Sequence, residues 1–383
     1  MNKIQRQVIK ELPHVICEVA SYLIEGGVEE HHIVVHTTAI TATYEEQCNY
    51  ILEAYESLSA DYFPHTTSVF LRFFLSDITN QRAILLQRIS SVAGLTSIVG
   101  QAPLDGSKIA LWIYFRSEVQ LQKIDGGLMA GRGAYTHLWT SAFTEEEWAT
   151  DAQTEFLFRS YAERLREVGG CLLRNAVRTW LFVSDIDKNY AAVVAARNKI
   201  FRDEGLTRET HFISSTGIEA KLPSFTSGLQ LDTYAICGLA EGQMRYLYAS
   251  THLNPTYEYG VSFERGTCVH YGDRTHIFIS GTASIDHRGQ ILYEGDIRKQ
   301  TYRMWENVEA LLAEAGSSSE DMVCAVVYLR DIADIAVVQA LFRERFPTIP
   351  TIIVEAPVCR PGWLIEMECM AISSQGNAEY ASL

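Results

Sequence analysis

RKQTYRMWENVEALLAEAGSSSEDMVCAVVYLRDI, residues 298–332, changes its hydrophobic period halfway along. Met304, Val308, Leu311, Leu312 and Ala315 fall on one stripe at helical spacing, which predicts an amphipathic helix. Gly316 and the serines Ser317 to Ser319 then supply residues suited to a C-cap and turn. Met322 to Leu329 is apolar and rich in β-branched residues, as a buried strand requires. A second helix follows, with Ile335, Val338, Leu341 and Phe342 facing inward, and Pro347 and Pro350 close it.

The same layout occurs twice more, and internal repetition outranks any local reading. YEEQCNYILEAYESL (44–58) leads to FLRFFLSDI (70–78), and TDAQTEFLFRSYAERLREVGG (150–170) leads to VRTWLFVSDI (177–186). Counted from Gln47, Gln153 and Gln300, the aspartates Asp77, Asp185 and Asp331 follow 30, 32 and 31 residues later. A strand pattern precedes each copy: His32 to His36, Tyr135 to Trp139 and Arg274 to Phe278. Further strands close each one: Lys108 to Tyr114, Leu229 to Cys237 and Trp363 to Ile372. This order predicts an α/β (α+β) fold of three tandem modules, each a mixed sheet packed by two helices. Their expected spans are 1–120, 130–245 and 255–375.

Composition narrows the function classes. The formal net charge of −15 is spread along the chain, and Arg159, Arg164 and Arg166 alternate with Glu155, Glu163 and Glu167 on what reads as a solvated helix face. Such a surface repels a polyanion, so no nucleic-acid partner is expected. No apolar run approaches the roughly 18 residues of a membrane span, so no membrane partner is expected either. The eight cysteines show no C-x-x-C and no regular spacing, which argues against a zinc ribbon or a disulfide framework. With no apolar leader in MNKIQRQVIKELPH, the expected location is cytoplasmic. His31, His32 and His36 have no carboxylate or cysteine at ligand spacing and read as a strand edge, so no metal or other cofactor is expected. The glycine-rich run from Asp125 to Gly133 lacks the Lys-Ser/Thr of a phosphate-binding loop and reads as a linker between copies one and two. There is no G-x-S-x-G elbow.

The third copy resembles the YjgF/Rid/L-PSP family. The resemblance rests on Ile277 to Ala283, Gly295-Asp296-Ile297, Gln300-Thr301, Glu306-Asn307-Val308 and Ala315-Gly316, and then on Val327 to Asp331 and Leu364 to Glu368. It implies the chorismate-mutase-like fold of that family, whose members are homotrimers with ligand clefts between neighbours. Three linked copies would form an intramolecular pseudo-trimer, a monomer resembling a Rid trimer. Family members that hydrolyse imines pair an arginine with a glutamate. Ungapped, those positions fall on Thr351 and Glu366, so the arginine is absent. The whole chain is also similar to the chorismatases, single chains of Rid-like modules that remove pyruvate from chorismate. That likeness rests on Tyr259-Gly260, Phe263-Glu264-Arg265, Ser280 to Ser284 and Cys359-Arg360. Their histidine-rich segment after the serine strand is replaced here by Ile285 to Gly289.

Glu366 and Glu368 alternate with Ile365, Met367 and Cys369, so both carboxylates leave the same face of the last strand. A carboxyl in an apolar cleft gains proton affinity and serves as an acid or base near neutral pH; Glu366 is the expected catalytic residue. The guanidinium forks of Arg360 and Arg265 suit a substrate carboxylate. Tyr259, Ser280, Gly281, Thr282 and Glu368 complete the expected substrate-binding set. Copies one and two end in Ile109-Ala110-Leu111-Trp112 and Leu231-Asp232-Thr233-Tyr234, with no Ser-Gly-Thr and no paired glutamates. One working cleft is therefore expected, acting on a small anionic metabolite. Chorismatase-like hydrolysis leads, with a non-catalytic metabolite- or partner-binding protein and an imine or enamine deaminase as alternatives.

Overall fold

The computed structural model describes residues 4–383. Module one holds β1 (Ile4–Ile9), β2 (Val15–Tyr22), β3 (Glu30–Thr37), β4 (Thr66–Leu75), β5 (Leu95–Val99) and β6 (Ile109–Ser117), in the order β1-β2-β3-β6-β4-β5. Module two holds β7 (Gln120–Ile124), β8 (Gly127–Arg132), β9 (Tyr135–Phe143), β10 (Ala176–Val183), β11 (Ser214–Glu219) and β12 (Leu229–Cys237), in the order β7-β8-β9-β12-β10-β11. Module three holds β13 (Met244–Leu247), β14 (Gly266–His270), β15 (Thr275–Ala283), β16 (Met322–Leu329), β17 (Thr351–Glu355) and β18 (Ile365–Ser373), in the order β13-β14-β15-β18-β16-β17. The three topologies are the same. In each, one pair is parallel (β4–β5, β10–β11, β16–β17), and a helix makes the crossover such a pair needs. The helices are α1 (Tyr44–Ser57), α2 (Ile78–Arg88), α3 (Thr150–Glu167), the single turn α4 (Leu172–Asn175), α5 (Ile186–Asp203), α6 (Ile297–Glu314) and α7 (Ile335–Arg345).

The repeating glutamine has a structural cause. Gln47, Gln153 and Gln300 are fully buried at the starts of α1, α3 and α6. Each side-chain carbonyl accepts the backbone N–H just before the closing strand: Lys108 at 2.8 Å, Gly228 at 2.6 Å and Leu364 at 2.9 Å. Each amide donates to loop carbonyls, such as Ala42, Thr226 and Gly362. One side chain thus satisfies backbone groups that helix and sheet would otherwise leave unpaired. The repeating aspartates introduce the second helices: Asp77 accepts from the N–H of Asn80, and Asp331 from that of Ala333 at the turn before α7.

Two expectations fail. The glycine-rich run 125–133 is not a linker: it is the turn and second strand of the β7–β8 hairpin, on the outer edge of module two. Asp125-Gly126 forms the two-residue turn, with Gly126 at φ +61°, a conformation that favours glycine. His31, His32 and His36 do not sit on a strand edge. β3 is interior, paired with β2 and β6, and His31 and His32 are buried.

The modules pack in a ring, each touching the other two. Arg72 pairs with Asp232 at 2.9 Å, Arg178 with Glu368 at 2.7 Å, and Arg274 with Glu30 at 2.5 Å, joining modules one to two, two to three and three to one. Isolated bridges Gly100–Lys221, Ile218–Val358 and Pro103–Val354 repeat that cycle. The helix-covered faces of modules one and two form separate cores. The opposite faces share one cluster, in which Phe70, Trp112, Trp139, Trp180, Tyr234 and Phe278 meet along the axis of the ring.

Candidate active site

Register aligns the three closing strands. Glu366 faces Tyr328 across β16–β18 as Gln230 faces Phe182 and Ala110 faces Phe74. The counterparts of Glu366 are therefore Gln230 and Ala110, and those of Glu368 are Asp232 and Trp112. Only module three carries a carboxyl at the first position.

Glu366 opens into a cleft of about 510 Å³, mouth included, between modules two and three. Module three supplies Tyr259, Arg265, Gly281, Cys359, Arg360 and Trp363; module two supplies Tyr190, Arg197, Ser215 and Gly217. β11 is held against module three by a parallel bridge from Ser214 to Glu264 and by the N–H of Ser215 donating to the Ser280 hydroxyl at 2.9 Å.

Glu366 is 4% exposed, and its proton affinity is raised to about 8. Burial is the main cause and the neighbouring Glu368 carboxylate adds to it, while Arg178 and Arg265 oppose it. The backbone makes room for this carboxyl. β15 carries a bulge between Ile279 and Thr282, and a Cβ added at Gly281 would overlap Glu366 Oε1. Gly217 plays the same part on the facing strand, where a Cβ would press on the Tyr190 ring.

Three guanidiniums face the cleft without a carboxylate partner among the described residues. Arg360 lies 4.3 Å from the Tyr259 ring centroid and 4.8 Å from that of Trp363. Arg265, 4% exposed, donates only to Asn254, to its backbone oxygen at 3.0 Å and its side-chain oxygen at 3.2 Å. Arg197, 1% exposed on α5, has buried Nε and Nη2 atoms without partners, and the Tyr259 hydroxyl is likewise unpartnered. Buried positive charge facing open space is costly unless an anion completes it. Cys359 is no nucleophile here: burial pushes its thiol up to about 12, so it stays protonated.

The residues singled out in the sequence divide into two groups. Glu366, Arg360, Arg265, Tyr259 and Gly281 line the cleft together. The Ser280 hydroxyl instead donates to the carbonyl of Glu264 at 2.6 Å, and that of Thr282 to the carbonyl of Ser280 at 2.8 Å. Glu368 is committed to Arg178, to the indole N–H of Trp180 at 2.7 Å and to the Thr216 hydroxyl. Tyr190, Arg197, Ser215 and Gly217 were not legible in the sequence, because no pattern within module three points to the copy before it. The signal for them is the position of a cleft between neighbours, which brings the strand and helix of the preceding copy to face Glu366. By register Ser215 lies opposite Thr179 as Thr351 lies opposite Ala325, so the strand facing Glu366 also lacks the arginine of the imine-hydrolysing pattern.

The other two clefts differ. Between modules one and two, the buried Arg72–Asp232 pair repeats the Arg178–Glu368 pair of the Glu366 cleft, but Gln230 stands where Glu366 does. Between modules three and one, an open groove holds His36, whose Nδ1 lies 2.8 Å from Asp105.

Residues 268–373 match the family model described as Endoribonuclease L-PSP. A RutC family protein of Pyrococcus abyssi is 39% identical over 97 residues, 25% of this chain and 76% of that protein. The 3-aminoacrylate deaminase RutC of Acinetobacter baylyi is 28% identical over 97 residues, 25% of this chain and 77% of that one. The crystal structure of a chorismatase superposes with a TM-score of 0.63 at 18% identity, covering 80% of this chain and 93% of the other.

Proposed function

The chain belongs to the YjgF/Rid family of endoribonuclease L-PSP-like proteins and shares the fold of a chorismatase, and from that premise we propose that it hydrolyses the enol ether of a small dianionic metabolite, with chorismate as the leading substrate. The observation that carries this reading is the charge arrangement of the Glu366 cleft. Three unpaired arginines surround one carboxyl that keeps its proton at neutral pH.

Chorismate presents two carboxylates and an enolpyruvyl ether. Arg197, Arg265 and Arg360 would hold the carboxylates by charge-assisted hydrogen bonds, with Tyr259 and Trp363 covering the ring. An enol ether is hydrolysed by protonating its methylene carbon, which makes the ether carbon electrophilic. Glu366 gives up its proton at that step. Water adds to the cation and returns a proton to Glu366, and the hemiketal collapses to pyruvate and the ring alcohol. General-acid catalysis of this kind contributes about 10²–10⁴-fold.

The test is to incubate the protein with chorismate and follow pyruvate. The wild type is expected to release one pyruvate per chorismate, and Glu366→Gln to lose at least 10²-fold in kcat. No pyruvate from the wild type, with chorismate still bound, would replace this reading by a metabolite-binding protein. Ammonia released from 2-aminoacrylate in place of pyruvate from chorismate would replace it by an enamine deaminase.

A further inference from the structure

The axis of the ring carries a second set of unpaired groups, remote from the Glu366 cleft in both residues and chemistry. β3 and β6, β9 and β12, and β15 and β18 line the axis in register. One layer of that lining pairs Glu30 with Arg116, His137 with Ile236, and His276 with Ile372. The layer is thus histidine and isoleucine in two modules, and glutamate and arginine in module one.

Arg116 is 1% exposed, and its Nε and Nη2 are buried without a hydrogen-bond partner. It forms no ion pair within 4 Å among the described residues. Glu30, directly across the ladder, is already engaged. Its Oε1 binds Arg274 at 2.5 Å and His276 at 2.9 Å, and its Oε2 accepts from the Tyr114 hydroxyl at 2.6 Å. Glu30 also leads to the neighbouring rings: His276, which it holds, lies 5.0 Å from Tyr271, and His137 stacks on Tyr234 at 5.9 Å. Two of these hold further unpartnered buried atoms, the Tyr271 hydroxyl and His137 Nε2. His137 Nδ1 is taken by the Tyr234 hydroxyl at 2.7 Å, so Nε2 is free to carry a proton toward the axis when the tyrosine donates. One layer deeper, the indole N–H of Trp139 is also unpartnered.

We infer that this layer is a binding site for a small monovalent inorganic anion, held by Nε and Nη2 of Arg116 and completed by the Tyr271 hydroxyl and His137. Arg116 Nε and Nη2 are donors only, and the Tyr271 hydroxyl and one tautomer of His137 can donate beside them, which is the complement of an anion. Water could accept from these donors but would leave the guanidinium charge without a counter-ion of its own, since Glu30 is shared between Arg274 and His276. A buried guanidinium with neither anion nor hydrogen bonds is among the costliest things a core can hold, and the register-equivalent positions carry buried isoleucines instead, Ile236 in the axial cluster and Ile372 in a smaller one beside Tyr22.

Bromide is the probe. Crystals of the full chain grown in bromide should show an anomalous peak within hydrogen-bonding reach of Arg116. Thermal melts at constant ionic strength, with bromide replacing gluconate, should shift upward by several degrees and track the logarithm of bromide concentration. Arg116→Ile, which copies Ile236 and Ile372, should remove the bromide dependence while leaving pyruvate release in place. No anomalous peak at the layer, water alone there, or a melting temperature indifferent to bromide would overturn the inference. An equal bromide response in Arg116→Ile would do the same. If that variant does not fold, the wild-type peak and melts decide the matter by themselves.

Discussion

Glu366 combines two properties that ordinarily exclude each other, deep burial and a titratable carboxyl. In the unfolded chain it releases its proton near the usual 4.5; in the cleft it holds it to about 8. Hydrolysis that needs the acid form should therefore run at a constant kcat/KM below pH 8 and fall about tenfold per unit above it. A pH–rate profile from 6 to 10 checks this, and an activity that rises through pH 8 would assign Glu366 the opposite role, as a base. The same shift has a consequence for stability. Between pH 4.5 and 8 the folded protein keeps a proton that the unfolded chain has lost, so this group's contribution declines as pH rises across that window. Glu366→Gln has no such group, so it should melt higher than the wild type, with a gap that widens from pH 5 to pH 8. Each pH unit is worth roughly 1.4 kcal/mol before relaxation. Calorimetry at the two pH values measures it. This residue was legible in the sequence, through the family pattern and the alternation of β18. Its three cationic neighbours were only partly so: Arg197 comes from a different copy, and no period within one module points across a cleft.

The elements were legible where one force dominates them. Met322–Leu329 is strand β16 residue for residue because it is buried on both faces, and the stripe on α6 buries Met304, Val308, Leu311 and Leu312 as its spacing predicts. The recurring glutamine was visible as a spacing but not as a cause, since its work is done on backbone atoms 61 to 75 residues away. The β7–β8 hairpin was misread because glycine marks linkers and tight turns alike, and only the pairing partner β9 separates them. The bulge in β15 carries the sharpest prediction at this scale. Gly281→Ala puts a methyl group where Glu366 Oε1 stands, so the carboxyl must leave its place. The variant should fold, lose about 1–3 kcal/mol from overpacking, and lose most of its kcat. Circular dichroism and the pyruvate assay read the two effects separately, and full activity in a folded variant would show that the position of Glu366 is immaterial.

For the whole molecule, the three linked copies free each cleft to diverge. A homotrimer must repeat every interface three times, whereas here the position of Glu366 is Gln230 at one junction and Ala110 at another, where a groove opens at His36, and only the third has the arginine-rich cleft. The axial layer diverges likewise, with Arg116 and Glu30 in module one alone. All three junctions are locked by buried ion pairs, Arg72–Asp232, Arg178–Glu368 and Arg274–Glu30, so the ring is expected to act as a single rigid scaffold for the Glu366 cleft. The repeat was legible from counted spacings, but which junction would be used was not, because that depends on residues contributed by two copies at once. The most direct measurement is a crystal structure of Glu366→Gln soaked with chorismate. The account predicts one molecule per chain, in the cleft between modules two and three, with its carboxylates on Arg197, Arg265 or Arg360. Ligand in the groove between modules three and one, or equal occupancy of more than one cleft, would contradict it.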